Sequence, residues 1–222
     1  MRPLAALIVI TVTAAACRTA PVAAPAAADP RPPIVQPGAP GEPSHVITAE
    51  KAADLSQVDY IGADIKFMQG MIGHHAQAID MVAFLPTHTP REDLQLLGQR
   101  IDISQRDEIK MMQEWLQARG QQVPGVNAIH EHGAVLMPGM LTADEMSRLA
   151  AARGAEFDRL FLEGMIKHHE GALTMVKELF ATPGAGQDVA IFSFASDVDA
   201  DQRMEIDRKG AMLDTILKEM RK

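Results

Sequence analysis

One stretch of this chain occurs twice, and the second copy lies 94 residues after the first. Residues 67–81 read FMQGMIGHHAQAIDM, and residues 161–175 read FLEGMIKHHEGALTM. In both copies apolar residues recur at steps of three and four, which predicts an amphipathic helix with two adjacent histidines near its middle. Imidazoles on an apolar face are costly to bury unless they have partners or a ligand. The repeat therefore predicts two matching helices that carry a buried polar site.

The match continues into a second pair of helices. Residues 104–109 read SQRDEI and residues 201–206 read DQRMEI, at an offset of 97. Each unit is therefore predicted to be a helical hairpin, the first over residues 48–120 and the second over residues 142–222. Two such hairpins bury their apolar faces by stacking, and the connector between them, residues 121–141, is long enough to cross over the bundle. The predicted fold is an all-α, ferritin-like four-helix bundle built from two duplicated helical hairpins.

Local signals place the ends of the helices. The four long helices are predicted near residues 57–85, 90–119, 142–182 and 187–220. Ser56 is the expected cap of the first helix, and Pro86 is expected to end it. Thr142 and Glu145 have the spacing of a capping box, which predicts the start of the third helix.

The N-terminal residues predict export and a lipid anchor. Residues 1–16 combine one positive charge with an apolar run too short to span a bilayer, which is typical of a signal peptide. The run ends at Cys17, the only cysteine, in a setting that resembles a lipoprotein cleavage box. Cys17 is the predicted lipidation site; the alternative is an incidental thiol after an ordinary signal peptide. Residues 17–47 are predicted to be a Pro/Ala-rich linker to the membrane.

Arg18 follows this cysteine where inner-membrane lipoproteins carry aspartate, so resemblance to lipoprotein sorting predicts a periplasmic, outer-membrane location. The net charge of −8 argues against nucleic acid as a partner. The sequence shows no phosphate-binding glycine loop, no Ser-His-Asp order and no nucleophilic cysteine, and we do not expect an enzyme.

Thioethers and imidazoles share one stripe on each repeated helix. The stripe residues that could bind a soft metal ion are Met71, His74 and Met81 in the first copy and Met165, His168 and Met175 in the second. Residues three apart on a helix lie side by side, so Met71 with His74 can reach one ion, whereas Met81 needs another ion or a partner helix. Sulfur with imidazole suits Cu(I) or Ag(I). The alternative is that these methionines only fill the core.

The second histidine of each pair points about 100° away from the first. His75 and His169 are predicted to face the central seam, with His74 and His168 toward a flanking groove. Glu108 and Glu205 continue the apolar rows of the partner helices, and Lys209 interrupts the second row. The seam allows two arrangements: each histidine pairs with one glutamate by a hydrogen bond, or two histidines and two glutamates bind iron or manganese.

The connector offers a further set of donors. Met137 and Met140 lie close to His130 and His132, which predicts either a separate soft-metal site or two methionines that only pin the crossover to the bundle. His45 and His88 fall in linker or turn and are expected in solvent.

Several motifs together resemble the CopM-like family, long catalogued as a domain of unknown function. They are the duplicated Met-Ile-x-His-His-x-x-Ala, the Gln-x-x-Glu-Ile of the partner helices, Met-Pro-Gly-Met at 137–140 and Phe-Asp-Arg-Leu-Phe-Leu at 157–162. The resemblance implies a ferritin-like fold and exported bacterial proteins, some of them linked to copper or silver binding and resistance. It implies that the four paired histidines and the neighbouring methionines are ligands. This chain lacks the free Met/His-rich N-terminal tail of such proteins.

The sequence thus favours an exported, lipid-anchored protein that binds Cu(I), Cu(II) or Ag(I) and buffers or delivers copper without turnover. Two alternatives stay open. One is a ferritin-like redox enzyme with a His/Glu metal centre, and the other is a metal-free structural or interaction module of the envelope.

Overall fold

The structure is a computed structural model that describes residues 32–36, 43–53, 59–125 and 136–222. Residues 34–222 form one unit. The predicted signal peptide, Cys17, Ser56 and the histidines at 130 and 132 lie outside the described residues. Within those described, no helix combines the length and the apolarity that crossing a membrane requires.

Helices make up most of the described structure. They are α1 (Ala49–Ala53), α2 (Gly62–Val82), α3 (Leu85–His88), α4 (Glu92–Ala118), α5 (Ala143–Ala151), α6 (Gly154–Ala181) and α7 (Val189–Met220). The long helices α2, α4, α6 and α7 form the bundle, which confirms the predicted all-α fold class.

Two short strands lie in the segment predicted as a linker. β1 (Ile34–Gln36) pairs antiparallel with β2 (His45–Ile47). These residues are extended, as expected, but their pairing was not predicted from the sequence. The β-branched residues of both strands favour such pairing.

Long helices that pack against each other run in opposite directions. α2 and α4 are antiparallel, as are α6 and α7. α2 and α6 are also antiparallel, because Gly70 near the start of α2 lies beside Met175 near the end of α6, and Gly164 lies beside Met81. It follows that α4 and α6 run in the same direction, so the chain between them must return along the bundle. This is the crossover that the length of the connector predicted.

A polar layer crosses the bundle halfway along. It separates an apolar cluster that includes Phe67, Trp115 and Phe194 from a second that includes Leu97 and Phe161. The layer consists of buried and half-buried polar side chains: His74, His75, Gln77, Gln105, Glu108, His168, His169, Gln202, Glu205 and Lys209. Buried polar groups need hydrogen-bond partners, so this layer is where the bundle's specific chemistry lies.

The first long helix is shorter than predicted at both ends. It begins at Gly62, after three residues, 59–61, that are not helical. At this end the Asp64 carboxylate accepts the N–H of Ile61 at 2.8 Å. It ends at Val82, and Pro86 lies in the first turn of α3. A proline is tolerated there because the first N–H groups of a helix have no partner within it. Pro86 therefore helps to begin a short helix.

The third long helix is interrupted. The predicted capping box is present, since the Glu145 N–H donates to the Thr142 hydroxyl at 3.2 Å and the Thr142 N–H donates to the Glu145 carboxylate at 2.7 Å. The helix that it opens, α5, ends at Ala151, and α6 starts at Gly154 with a φ of +58°. The left-handed conformation of Gly154 turns the chain between the two helices.

Candidate metal centre

The end of the connector, residues 136–141, is held by both α2 and α6. The Gln77 side chain on α2 donates to the Leu141 carbonyl oxygen at 2.9 Å and accepts the Leu141 N–H at 2.7 Å. On α6, a Cβ added to Gly171 would lie 1.9 Å from the Pro138 carbonyl oxygen, so only glycine allows this approach. These contacts fix where the connector places its side chains.

Methionine side chains from two segments meet at Gly70 of α2. A Cβ added at this glycine would lie 3.2 Å from Sδ of Met137 and 3.4 Å from Cε of Met175. The N–H of Met137 also donates to Sδ of Met140 at 3.3 Å. His74 follows Gly70 by four residues and so lies on the same side of α2, one turn further on. The connector thus adds thioethers to the neighbourhood of a buried imidazole.

His74 is held as a neutral ring with one free lone pair. Its Nε2 lies 3.1 Å from the Pro138 carbonyl oxygen, which can only accept, so Nε2 carries the proton. Its Nδ1 is buried and has no hydrogen-bond partner among the described residues. Burial, together with the neighbouring His75, lowers the pKa of His74 to about 3. A neutral imidazole with a free nitrogen is the form that binds a metal ion.

His168 contacts the same region from α6. Its Nε2 donates to the backbone carbonyl oxygen of His74 at 2.9 Å, and the two rings are 3.7 Å apart between centroids. Burial is the main reason that the pKa of His168 is well below its usual value. The prediction that these two histidines face a flanking groove is wrong, because both are wholly buried at the α2–α6 interface.

In the first hairpin, His75 pairs with a glutamate. Its Nε2 lies 2.6 Å from Oε2 of Glu108, whose Oε1 accepts the Ser104 hydroxyl at 2.7 Å. Burial alone would raise the pKa of Glu108, but the contact with His75 and the bond from Ser104 bring it below its usual value. Nδ1 of His75 is also buried without a partner in the described part of the chain. This hairpin follows the hydrogen-bonded alternative. His75 meets α4 here.

In the second hairpin, a lysine lies between the histidine and the glutamate. Nζ of Lys209 is 2.9 Å from Nε2 of His169 and also contacts the Glu205 carboxylate, whereas His169 and Glu205 are 4.0 Å apart. An ammonium group only donates, so Nε2 of His169 accepts. Burial lowers the pKa of Lys209 to about 8, although Glu205 opposes that shift. Burial, with Lys209 next, also lowers the pKa of His169 well below its usual value.

The sequence pattern did not reveal this lysine as a functional residue. Lys209 was expected only to interrupt an apolar row, although its side chain is wholly buried. The available signal was the four-residue spacing from Glu205, which places the two side chains next to each other on one helix face.

The remaining predicted ligands divide between the two sides of the α2–α6 interface. Met71 lies in the first apolar cluster with Met175, and Met81 and Met165 lie in the second. Cε of Met81 is 3.1 Å from a Cβ added at Gly164, where the connector supplies Leu141 and no sulfur. The connector therefore makes the two sides unequal. Two predicted ligands, Met137 and Met175, meet at Gly70, whereas one, Met81, lies at Gly164.

Glu108 and Glu205 also line a cavity of about 210 Å³ between α4 and α7, together with His169. Across residues 32–36, 43–53, 59–125 and 136–222, however, no three His, Cys, Asp or Glu side chains are arranged to hold one metal ion. The centre that would combine two histidines and two glutamates is not assembled in this arrangement.

Two histidines outside the repeats were expected in solvent. His45 is exposed, as predicted. His88 is buried, and its Nε2 donates to the Ala150 carbonyl oxygen at 2.9 Å, so the prediction for His88 is wrong. This bond ties α3 to the end of α5, a long-range contact that a local sequence pattern does not reveal.

Comparison with known proteins identifies relatives of the bundle. A family model described as Domain of unknown function (DUF305) matches residues 64–213. A DUF305 protein from Streptomyces coelicolor, described as a candidate secreted protein, is 26% identical with a TM-score of 0.59, over 69% of this chain and 93% of that one. A DUF305 fragment from Deinococcus radiodurans is also 26% identical, with a TM-score of 0.59, over 70% of this chain and 98% of that one.

A third similar structure is CopM, which has been solved in Cu(I)-bound and Cu(II)-bound forms. Both forms are 27% identical to this chain, with TM-scores of 0.53 and 0.56, over 68% of this chain and 96% of CopM. CopM has also been solved in Ag-bound and apo forms. No curated protein matches the sequence.

Proposed function

The chain belongs to the DUF305 family, whose model matches residues 64–213, and from this premise we propose that it binds a soft metal ion, Cu(I) or Cu(II) and also Ag(I). The similar CopM structures with copper and silver support this choice of metals. The metal ion is cargo in this proposal, and no turnover is involved.

One observation carries the proposal. His74 presents a buried Nδ1 without a partner among the described residues, one helical turn from the point where the side chains of Met137 and Met175 meet. Imidazole nitrogen and thioether sulfur are neutral, soft donors, which bind Cu(I) and Ag(I) better than they bind magnesium, calcium or manganese. The donor set therefore fits the proposed ion.

Neighbouring groups position these donors. The Pro138 carbonyl oxygen accepts from Nε2 of His74 and so leaves Nδ1 unprotonated. Such an outer contact fixes the tautomer and the orientation of a ligating imidazole. Gln77 and Gly171 hold the connector against both helices and thereby hold Met137 near α2. In our proposal, further donors come from Met71 and Met140 and from Met81 and Met165 on the Gly164 side of the α2–α6 interface.

We extend the proposal to the cell. Residues 1–16 have the pattern of an export signal that ends at Cys17, and the Streptomyces coelicolor relative is described as a candidate secreted protein. An exported, lipid-anchored protein with this site would buffer or deliver copper in the periplasm and so contribute to copper resistance. Mass spectrometry of the mature protein tests the anchor, because acylation at Cys17 adds the mass of its lipid chains.

A titration with Ag(I) or Cu(I) against a competing chelator tests the metal site. The double substitution Met137→Leu and Met175→Leu keeps the apolar volume and removes both sulfurs, so we expect at least a tenfold loss of affinity, about 1.4 kcal/mol. Met204→Leu is the matched control, since Met204 lies on α7 with 64% of its surface exposed, and it should leave the affinity unchanged.

The companion double substitution is His74→Ala with His168→Ala. Affinity that survives both double substitutions would remove these residues from the site. Failure of the unmodified protein to compete with the chelator would overturn the proposed function itself.

A further inference from the structure

The second hairpin holds an ammonium group between its histidine and its glutamate. The Lys209 side chain is wholly buried, and its ammonium contacts both Nε2 of His169 and the Glu205 carboxylate. A buried ammonium needs a counter-charge and acceptors, and this pair supplies one carboxylate and one nitrogen lone pair. The geometry therefore marks a place in the bundle where one positive charge is held.

The first hairpin has a methionine at the matching place. At the offset of 97 residues, Glu205 corresponds to Glu108 and Lys209 corresponds to Met112. Met112 follows Glu108 by four residues, so it lies on the same face of its helix, and it too is wholly buried.

Other residues confirm that these positions of α4 and α7 correspond to each other in the repeat. Gln105 and Gln202 precede the two glutamates by three residues, and each is 5% exposed. Around each glutamine, a surface salt bridge joins an aspartate three residues before it to the arginine directly after it. The pairs are Asp102–Arg106 at 2.9 Å and Asp199–Arg203 at 2.8 Å. The two helices therefore present equivalent positions to His75 and to His169.

We propose that this position is a cation site in both hairpins, filled by the Lys209 ammonium in the second and open to a soft monovalent cation between His75, Glu108 and Met112 in the first. The inference rests on the proposed function for the kind of ion. Imidazole and thioether suit Ag(I) or Cu(I) as donors, and the single carboxylate balances one positive charge as it does for Lys209.

The proton balance is simple. In the metal-free first hairpin, Nε2 of His75 donates a hydrogen bond to the Glu108 carboxylate. Binding of a cation at Nε2 requires that proton to move to Nδ1, which has no partner among the described residues. The second hairpin already shows the resulting tautomer, since Nε2 of His169 accepts from Lys209 and the ring proton lies on Nδ1. The ring that binds the cation then carries one proton, on Nδ1.

Reciprocal exchange of the two residues tests the inference, with Ag(I) as the probe and native mass spectrometry to count bound ions. Lys209→Met gives the second hairpin the donors of the first, and we expect one more Ag(I) per chain than in the unmodified protein. Met112→Lys gives the first hairpin its own ammonium, and we expect one Ag(I) fewer. Lys218→Met is the matched control, because Lys218 is exposed on the same helix and its loss should not change the count.

Folding of each variant is checked by circular dichroism. If Met112→Lys does not fold, Met112→Leu replaces it, and removal of the sulfur should weaken binding of one Ag(I) at least tenfold. In the unmodified protein, Ag(I) should move the ¹⁵N resonance of Nε2 in His75 and leave that of His169 in place.

The outcomes separate this inference from the proposed function. A count that Lys209→Met leaves unchanged overturns the inference, even when the unmodified protein binds Ag(I) through Met137 and Met175. A count that falls by one with Met112→Lys and rises by one with Lys209→Met, beside an affinity that Met137→Leu with Met175→Leu leaves unchanged, would overturn the proposed site at Met137 and Met175 and support the inference.

Discussion

Nε2 of His168 donates a hydrogen bond to the backbone carbonyl oxygen of His74, 2.9 Å away across the α2–α6 interface. Nε2 of His74, in contrast, donates to the Pro138 carbonyl oxygen of the connector. Two histidines with the same sequence context therefore have different partners, because the connector passes one of them. This asymmetry lets similar sequences build two unequal sites.

The buried histidines predict that the metal-free protein loses stability as the pH falls. The pKa values of His74, His168 and His169 are lowered in the folded state, so below pH 6.5 the unfolded chain binds more protons than the folded one. Each histidine should cost about 1.4 kcal/mol between pH 7.5 and pH 5.5, or about 4 kcal/mol in total.

Urea unfolding of the chelator-treated protein at the two pH values measures this loss. His74→Gln should reduce the loss by about one third. His45→Gln, which removes an exposed histidine, should leave it unchanged. Equal stability at both pH values would show that these rings are charged in the folded protein.

Gly171→Ala should displace the connector. The added Cβ would lie 1.9 Å from the Pro138 carbonyl oxygen, a distance that backbone must move to relieve. We expect a loss of about 1 to 3 kcal/mol in the free energy of unfolding, and weaker Ag(I) binding because Met137 moves with the connector. Gly210→Ala is the control, because a Cβ there meets nothing within 4 Å and should be neutral or stabilise α7 by up to about 1 kcal/mol. Similar effects of both substitutions on stability would contradict the close packing at Gly171.

Gln77→Leu should destabilise the bundle through the connector backbone. The substitution leaves the buried N–H and carbonyl of Leu141 without their partner, at about 1 to 3 kcal/mol each. Gln69→Leu on the same helix removes one exposed bond to the Gln122 carbonyl and should cost less than about 0.5 kcal/mol. Unfolding in urea compares the two. A small effect at Gln77 would mean that water replaces the side chain at Leu141.

Ag(I) should raise the melting temperature of the metal-free protein. A ligand that binds only the folded state adds about 2.7 kcal/mol when its free concentration is one hundred times its Kd. The variant with Met137→Leu and Met175→Leu should gain less at the same free Ag(I). Magnesium should give no shift in either protein, since thioethers are poor ligands for it. An equal gain from magnesium and Ag(I) would point to a nonspecific charge effect.

Much of the fold could be predicted because its signals are local. The spacing of apolar residues gave α2, α4, α6 and α7, and the capping box at Thr142 gave the start of α5. The break at Gly154 escaped prediction because a glycine inside a helical pattern shows its left-handed conformation only in the structure. The bond from the Gly186 N–H to the Asp64 carboxylate escaped prediction because the two residues lie 122 positions apart in the sequence.

The sequence predicted which residues belong to the candidate site better than it predicted how those residues are arranged. Periodicity shows which residues share a helix face, but it does not show which neighbour that face meets. For this reason His74 was assigned to a groove, although it lies at the interface with α6. Lys209 was missed because lysine is rarely wholly buried unless paired, and the pair it joins is formed in the folded bundle.

The polar layer halfway along the bundle also sets the alignment of the two hairpins. A slide of α6 past α2 by one helical turn, about 5.4 Å, would move Nε2 of His168 away from the His74 carbonyl oxygen that it bonds. An imidazole stranded in that way would cost about 1 to 3 kcal/mol. His168 thus disfavours a shifted docking of the two hairpins, whether or not a metal ion is bound.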